Sequence, residues 1–297
     1  MDAEGVFSTK LSTNLTGLIG LNHKQQKAQF SDKVSTDLMD YFVNVLYESN
    51  GLLEAQAGAR LSEHSTYGSN WTYHINPSLY FDFDSVNLRF HASLSTAFIA
   101  PSLYKLFDTY SGNQTLKPET NQSLEFGSSL FFPNGGQFQL VYFSRDHQDF
   151  VEYDKTAFRY VNSKRDFSVY GTEFLCRYPI TDQLLFQTSY SFTQNEAGDG
   201  LRIPKHKFNT SFRQQFNSNT QILTSIQFVG DRDDLIGQDL VELSSYWLLD
   251  LRISHQLSQA GVSLFASIEN VFNADYEEVR GYTTRGRNLS LGVSYAF

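Results

Sequence analysis

Hydrophobic and polar positions alternate with a period of two through most of the chain. Val86, Leu88, Phe90, Ala92 and Leu94 alternate with Asn87, Arg89, His91, Ser93 and Ser95. The same pattern runs from Leu184 to Thr193, from Trp247 to Ser254, and from Leu289 to Phe297. Successive side chains of a strand point to opposite faces, so each run predicts a strand with one apolar and one polar face. About fourteen such segments are predicted. They span roughly 11–24, 34–49, 51–63, 71–83, 86–98, 119–131, 136–149, 158–178, 183–194, 205–216, 219–230, 245–256, 261–274 and 286–297, with a partial segment before Leu11. Strands of soluble proteins average about 5–6 residues. A strand crossing a bilayer at a steep tilt needs about 9–11, and most of these segments reach that length.

The connections are predicted to alternate in length. Short ones fall at Asn50-Gly51, Asp84-Ser85, Pro133-Asn134-Gly135-Gly136, Pro179-Ile180-Thr181-Asp182, Asn217-Ser218 and Ser258-Gln259-Ala260. Longer polar ones are expected near 25–33, 64–70, 99–118, 150–157, 195–204, 231–244 and 275–285. Short turns at one end and long loops at the other mark an antiparallel up-and-down barrel of an outer membrane.

Composition narrows the picture. Phe (26) and Tyr (17) far outnumber the 23 Lys and Arg, which suits pleated, half-buried surfaces. The net charge of −9, with no Lys/Arg cluster, argues against nucleic acid as a partner. Cys176 is the single cysteine, so neither a disulfide framework nor a thiolate metal site is predicted. No apolar run approaches the roughly 20 residues of a membrane helix. The start, Met1-Asp2-Ala3-Glu4-Gly5, lacks the basic and apolar regions of a signal peptide, so the N-terminus is expected to be truncated.

The side chains decide which face meets which solvent. The polar faces carry Arg89, His91, Glu125, Glu173, Asp250, Arg252 and Glu269. Fourteen or more strands enclose a lumen too wide to fill with apolar side chains, so the apolar faces are expected to meet lipid and the polar ones the lumen. Aromatics near strand ends, among them Trp71, Tyr80, Phe131, Tyr178, Tyr246, Trp247, Tyr295 and Phe297, fit the girdles at the two interfaces. The competing soluble reading, a sandwich or propeller with core aromatics, predicts blade repeats, and no fixed period is present.

Three stretches resemble the TonB-dependent receptor family. The first is Ala100-Pro101-Ser102-Leu103-Tyr104-Lys105-Leu106-Phe107, then Gly112-Asn113-Gln114-Thr115-Leu116-Lys117-Pro118-Glu119, similar to the family's proline–tyrosine loop and its N-x-x-L-K-P-E segment. It continues as Asn121-Gln122-Ser123-Leu124-Glu125-Phe126-Gly127. The second pairs Tyr160-Val161-Asn162 with Val169-Tyr170-Gly171-Thr172-Glu173. The third and most specific is Glu269-Asn270-Val271-Phe272-Asn273-Ala274-Asp275-Tyr276-Glu277, then Gly281-Tyr282-Thr283-Thr284-Arg285-Gly286-Arg287 and a strand ending on Phe297. The resemblance implies an all-β fold in which residues 1–297 form the C-terminal portion of a receptor barrel, about fourteen strands of a barrel of about 22. It implies an N-terminal plug and TonB-contacting segment without counterpart in these residues. An unclosed sheet would leave backbone groups unpaired at two edges.

The same resemblance implies the Gram-negative outer membrane, with its lipid and its assembly machinery as partners, Phe297 serving as the assembly signal. It implies TonB-dependent import of a nutrient chelate, either cobalamin, as in the cobalamin-receptor branch that the ending most resembles, or a ferric siderophore. No cofactor is expected. Tyr104 and Tyr110 in the longest loop, and Tyr282 and Arg285 in the last, are the candidate substrate contacts, since aromatic and Arg side chains are common anchors. Loop packing is their competing role. Asp231-Arg232-Asp233-Asp234 could hold Ca²⁺ through carboxylate oxygens or form a solvated loop. The inward Glu125, Glu173, Asp250, Arg252 and Glu269 could form cross-strand ion-pair ladders. No catalytic or metal-binding arrangement emerges: the seven His are scattered and no G-x-S-x-G is present. The rivals are a self-contained passive porin, and an outer-membrane enzyme or adhesin.

Overall fold

A computed structural model describes residues 2–196, 200–237, 239–257 and 261–295. In chain order the first elements are β1 (Asp2–Lys10), β2 (Leu15–Gln29), β3 (Lys33–Glu48), β4 (Leu53–His64), β5 (Gly68–Phe83), β6 (Val86–Ile99), the short helix α1 (Leu103–Phe107), β7 (Glu119–Phe131) and β8 (Gln137–Gln148). They are followed by β9 (Val151–Asp154), β10 (Arg159–Asn162), β11 (Phe167–Thr181), β12 (Leu184–Asn195), β13 (His206–Asn217) and β14 (Thr220–Val229). The last are β15 (Arg232–Ile236), β16 (Asp239–Leu243), β17 (Tyr246–Leu257), β18 (Val262–Glu269) and β19 (Asn288–Tyr295). Fifteen strands pair in the order β1-β2-β3-β4-β5-β6-β7-β8-β11-β12-β13-β14-β17-β18-β19, and β9–β10 and β15–β16 form two separate hairpins. Each strand of the large sheet hydrogen-bonds to its neighbours in the chain, the up-and-down order expected. β1 and β19 end that order among the described residues.

The chain divides into two compact units, Met1–Phe81 with Arg89–Gly127 and Phe143–Val169, and Asp82–Leu88 with Ser128–Tyr142 and Tyr170–Phe297. In the first, β2 and β3 pair without interruption from Leu15↔Tyr47 to Gln29↔Lys33. The long connections expected at 25–33 and 64–70 are therefore tight turns, Phe30–Asp32 and Ser65–Tyr67. Gln25, Gln26 and Lys27 carry no apolar alternation, yet a backbone ladder continues as well under polar side chains as under apolar ones. Asp37 accepts from Gln25 Nε2 at 2.9 Å and lies 3.3 Å from His23 Nε2, holding this polar extension across the strands. The partial segment before Leu11 is the full strand β1. The segment expected as one strand at 158–178 is broken into β10 and β11, because Arg159–Asn162 turns back to pair with Val151–Asp154.

The faces are inverted relative to a water-soluble protein. On β19 the side chains of Leu289, Leu291 and Val293 are exposed, Leu291 by 86 %. Their cross-strand partners on β18 are Ile268, Ala266 and Leu264, so the apolar face continues from strand to strand. The buried set is instead rich in polar groups: Asp40, Ser62, Ser78 and Ser129 are all buried. Asp40 accepts from the Ser62 hydroxyl at 2.5 Å, with Arg60 3.8 Å away. Exposed leucines with buried aspartate and serine reproduce what lipid outside and polar groups inside demand.

Glycines on the polar face are covered by rings from neighbouring strands. A Cβ at Gly20 would stand 2.3 Å from the Phe42 ring, one at Gly127 2.2 Å from His91, and one at Gly292 2.2 Å from Phe265. Each ring occupies the space a Cβ would need, which only a residue without Cβ permits. The expected ion-pair ladders are sparse. Glu125 pairs with Arg145 at 3.4 Å. Arg252 instead stacks over Phe265, 4.3 Å from its centroid, and Asp250 accepts the Asn270 backbone N–H at 2.8 Å.

Candidate functional site

The long connections carry the candidate residues, and each unit builds its own cluster. In the first unit Ser102 caps α1 by accepting from Lys105 N at 3.3 Å. Leu106, Leu116 and Val151 form a small buried cluster with Phe107 and Tyr160 packed against it. Two asparagines tie the surrounding loops. Asn113 Nδ2 donates to Tyr160 O at 2.7 Å, while its Oδ1 accepts from Thr115 N and Oγ1 at 3.0 and 2.7 Å. Asn162 accepts from Lys117 N at 2.8 Å and donates to Lys117 O and Asp149 O at 3.0 and 2.6 Å. Lys105 pairs with Glu119 at 3.3 Å, and the Tyr67 hydroxyl donates to Leu116 O at 3.0 Å. The segments Asn113–Glu119 and Tyr160–Asn162, remote in sequence, are thus one hydrogen-bonded knot.

Tyr104 stands on that knot. Its ring lies edge-on to Tyr160 at 6.1 Å and tilted to Phe30 at 6.4 Å, and Tyr160 in turn meets Tyr153 at 5.4 Å. A cleft of about 700 Å³ opens beside it, lined by Gln25, Gln26, Lys27, Ser102, Leu103 and Tyr104. Tyr110 is 91 % exposed at the tip of the following turn. That turn is shaped by Asp108, which accepts from the Ser111 hydroxyl at 2.6 Å, from Ser111 N at 2.9 Å and from Tyr110 N at 3.2 Å. Those bonds, the Ser111 hydroxyl first, hold the Asp108 carboxyl below its usual range.

In the second unit the motif beginning at Glu269 closes a loop on itself. Asn270, buried and in the left-handed region at φ 49°, accepts from Ala274 N at 2.8 Å. It donates to Ala274 O at 2.9 Å and to Arg285 O at 3.4 Å. Asn273, at φ 54°, accepts from Arg287 N at 2.8 Å, and the Thr284 hydroxyl donates to Tyr276 O at 2.6 Å. Tyr276 packs on Tyr246 at 4.3 Å, and burial, reinforced by the Glu278 charge, pushes its phenol up. Tyr282 projects from this loop 72 % exposed, and Arg285 is exposed beside it in sequence.

The acidic run at 231–234 is divided: Asp231 and Asp233 are exposed, as a solvated run would be, while Arg232 and Asp234 are buried. It belongs to the β15–β16 hairpin, and Asp234 is fully buried. Its Oδ1 accepts from Arg202 Nε at 2.9 Å and from Leu235 N at 2.8 Å, with Arg202 Nη2 as an ion-pair contact also at 2.9 Å, while Oδ2 accepts from Arg280 N at 2.7 Å. The Arg202 bond and then the Arg280 N–H hold the carboxyl far below the usual carboxylate range. Arg232 is buried too, 5.2 Å over the Tyr246 ring and donating to Glu277 O. Both oxygens of Asp234 are already engaged by N–H donors and Arg202, and no group of three or more His, Cys, Asp or Glu that could hold a metal gathers among the described residues.

Of the residues expected to contact substrate, Tyr104 and Tyr110 share one loop of the first unit, and Tyr282 and Arg285 share the last loop of the second. Phe297 lies outside the described residues. Sequence reasoning missed Arg202, Asp234 and Arg280 as a group. They are separated by 32 and 46 residues, and no local pattern signals such a pairing.

Comparison with known proteins accounts for this architecture. A family model for the TonB dependent receptor-like β-barrel matches residues 4–271. The chain is 25 % identical over 248 residues to the vitamin B12 transporter BtuB of Vibrio cholerae serotype O1, covering 82 % of this chain and 40 % of that protein. It is 24 % identical over 312 aligned positions to BtuB of Vibrio vulnificus, covering 95 % of this chain and 48 % of the relative. The chain therefore spans less than half the length of these curated relatives. A crystal structure of a mutant ferric enterobactin receptor, PfeA of Pseudomonas aeruginosa, superposes with TM-score 0.82 at 18 % identity, over 100 % of this chain and 53 % of that one. The siderophore receptor PirA of Acinetobacter baumannii superposes with TM-score 0.79 at 13 % identity, over 100 % and 54 %. With the family match running through most of its strands and the sheet order and inverted faces agreeing with it, the chain belongs to the TonB-dependent receptor family, as a length of its β-barrel.

Proposed function

We propose that this chain supplies outer-membrane barrel wall and ligand-contacting loops to a receptor that imports a nutrient chelate, cobalamin first and a ferric siderophore second. The observation that carries the reading is the pairing of an apolar-out, polar-in sheet with exposed aromatics mounted on braced loops. A receptor loop must present anchors without collapsing on itself. The Asn113–Asn162 knot beneath Tyr104 and the Asn270 clamp beneath Tyr282 both do this. Cobalamin comes first because the sequence relatives are vitamin B12 transporters, whereas the siderophore receptors share the fold at lower identity.

In this reading Tyr104, Tyr110, Tyr282 and Arg285 touch the chelate. Aromatic faces pack on the apolar parts of such a ligand and the guanidinium meets its anionic or amide oxygens. Import itself is energised by the TonB system acting through a plug segment, and insertion uses the outer-membrane assembly machinery. The barrel wall contributes binding and passage, without bond-making chemistry.

The test is equilibrium titration of the detergent-refolded chain with cyanocobalamin and, separately, with ferric enterobactin. Saturable binding of one chelate, weakened tenfold or more by Tyr282→Ala or Tyr104→Ala, is the expected result. Ion conductance across a planar bilayer with no binding of either chelate would overturn the receptor reading in favour of a passive pore.

A further inference from the structure

Asp234 is the one fully buried large side chain among the described residues, and it is charged. A buried carboxylate is costly unless its oxygens are occupied. Here three N–H donors from three separate segments occupy them, with Arg202 Nη2 in ion-pair contact as well: Arg202 in the β12–β13 connection, Leu235 in the β15–β16 hairpin and Arg280 in the β18–β19 connection. Arg232 adds a second tie from the same hairpin to the last connection, through Glu277 O. The hairpin thus clamps residues 277–280 at two points. Immediately beyond the clamp, Gly281 turns in the left-handed region at φ 82°, and Tyr282 follows.

Arg202 is held with equal care. Its own backbone is left-handed at φ 63°, a conformation unusual for a residue with a Cβ, and its N–H donates to Asp233 O at 2.7 Å. Its side chain remains half exposed although Nε and Nη2 are bound to Asp234. The bond to Asp234 raises the Arg202 pKa, and the same carboxylate holds the Arg280 N–H, two residues before Tyr282. A half-exposed guanidinium and the segment that carries an exposed tyrosine are therefore anchored to one carboxylate.

We infer that Arg202 is a further chelate-contact residue, paired with Tyr282, and that Asp234 is the positioning residue that makes the two a single contact surface. This rests on the functional reading above. An amide or carboxylate oxygen of the ligand would meet the free edge of Arg202 while its apolar body packs on Tyr282. The fork already held by Asp234 needs no further ordering when ligand arrives, which is how preorganisation contributes affinity.

The experiment is a double-mutant cycle on the full refolded chain, with cyanocobalamin and ferric enterobactin as probes, alongside hydrogen exchange of residues 277–287. Asp234→Asn is expected to lower affinity tenfold or more and to speed exchange in that segment, with the heat-modifiable gel mobility of the folded chain unchanged. Tyr282→Ala is expected to lower affinity in the wild-type background and to have little further effect in Asp234→Asn, because contacts acting as a unit are not additive. Arg202→Ala is expected to match Asp234→Asn, and Arg202→Lys to recover only part of the loss. Wild-type affinity in Asp234→Asn, or fully additive losses, would overturn the inference. If the wild-type chain binds neither chelate, the functional reading falls and the contact role of Arg202 falls with it. The exchange data still separate the two failures: unchanged protection in Asp234→Asn would remove the positioning role as well.

Discussion

Replacing Asn270 isolates what the most specific stretch of the sequence does. The substitution Asn270→Ala removes two good hydrogen bonds, from Ala274 N at 2.8 Å and to Ala274 O at 2.9 Å, and one long one to Arg285 O at 3.4 Å. At about 1 kcal/mol net for each, the loss is about 2–3 kcal/mol. Alanine is also placed at φ 49°, where a Cβ costs about 1 kcal/mol more than glycine would. Asn270 itself already bears that Cβ cost, so relative to wild type the total is about 2–3 kcal/mol for alanine and about 1–2 kcal/mol for glycine. The Asn270 backbone N–H to Asp250 survives both changes, so the side chain alone is tested. The assay is urea unfolding of the refolded chain in lipid vesicles, followed by Trp71 and Trp247 fluorescence, with equal slopes required before midpoints are compared. Both variants unfolding within about 0.5 kcal/mol of wild type would refute the clamp. Glycine clearly worse than alanine would refute the backbone part of the argument.

Three further outcomes are expected. Because Asp234 has a folded pKa below its unfolded one, its stabilisation is complete above about pH 4 and is lost as pH falls towards the folded value. The urea midpoint of wild type is then expected to drop more steeply below pH 4 than that of Asp234→Asn, and parallel slopes would sink this. Leu291→Arg puts a charge on the apolar face and is expected to cost about 2–4 kcal/mol of folding into vesicles, whereas Ser290→Arg on the opposite face costs little; equal costs would mean the faces are misassigned. Gly292→Ala forces the Phe265 ring off its seat, since the new Cβ would stand 2.2 Å from it. A destabilisation of about 1–3 kcal/mol is expected in the same assay, and a neutral result would show that the ring cover contributes nothing.

The sequence by itself determined the strands, their two faces and their up-and-down order. Each strand is long, and lipid on one side with polar groups on the other imposes a period of two that survives in the residues. The pattern over Leu289–Phe297, for example, describes β19 as far as it is seen. It failed where that solvent contrast vanishes. Gln25–Gln29 is polar on both faces, so the extension of β2 left no mark, and the hairpins β9–β10 and β15–β16 are too short for alternation to show. The motif asparagines were visible as a resemblance, but their work was not: Asn162 bonds to Lys117 and Asp149, and Asn270 to Ala274 and Arg285, through backbone atoms that carry no residue identity. Only the tertiary structure decided that Asp234 meets Arg202 and Arg280. A buried carboxylate selects its donors by proximity, and proximity between separate loops follows from how the sheet carries them, not from any local pattern in the chain.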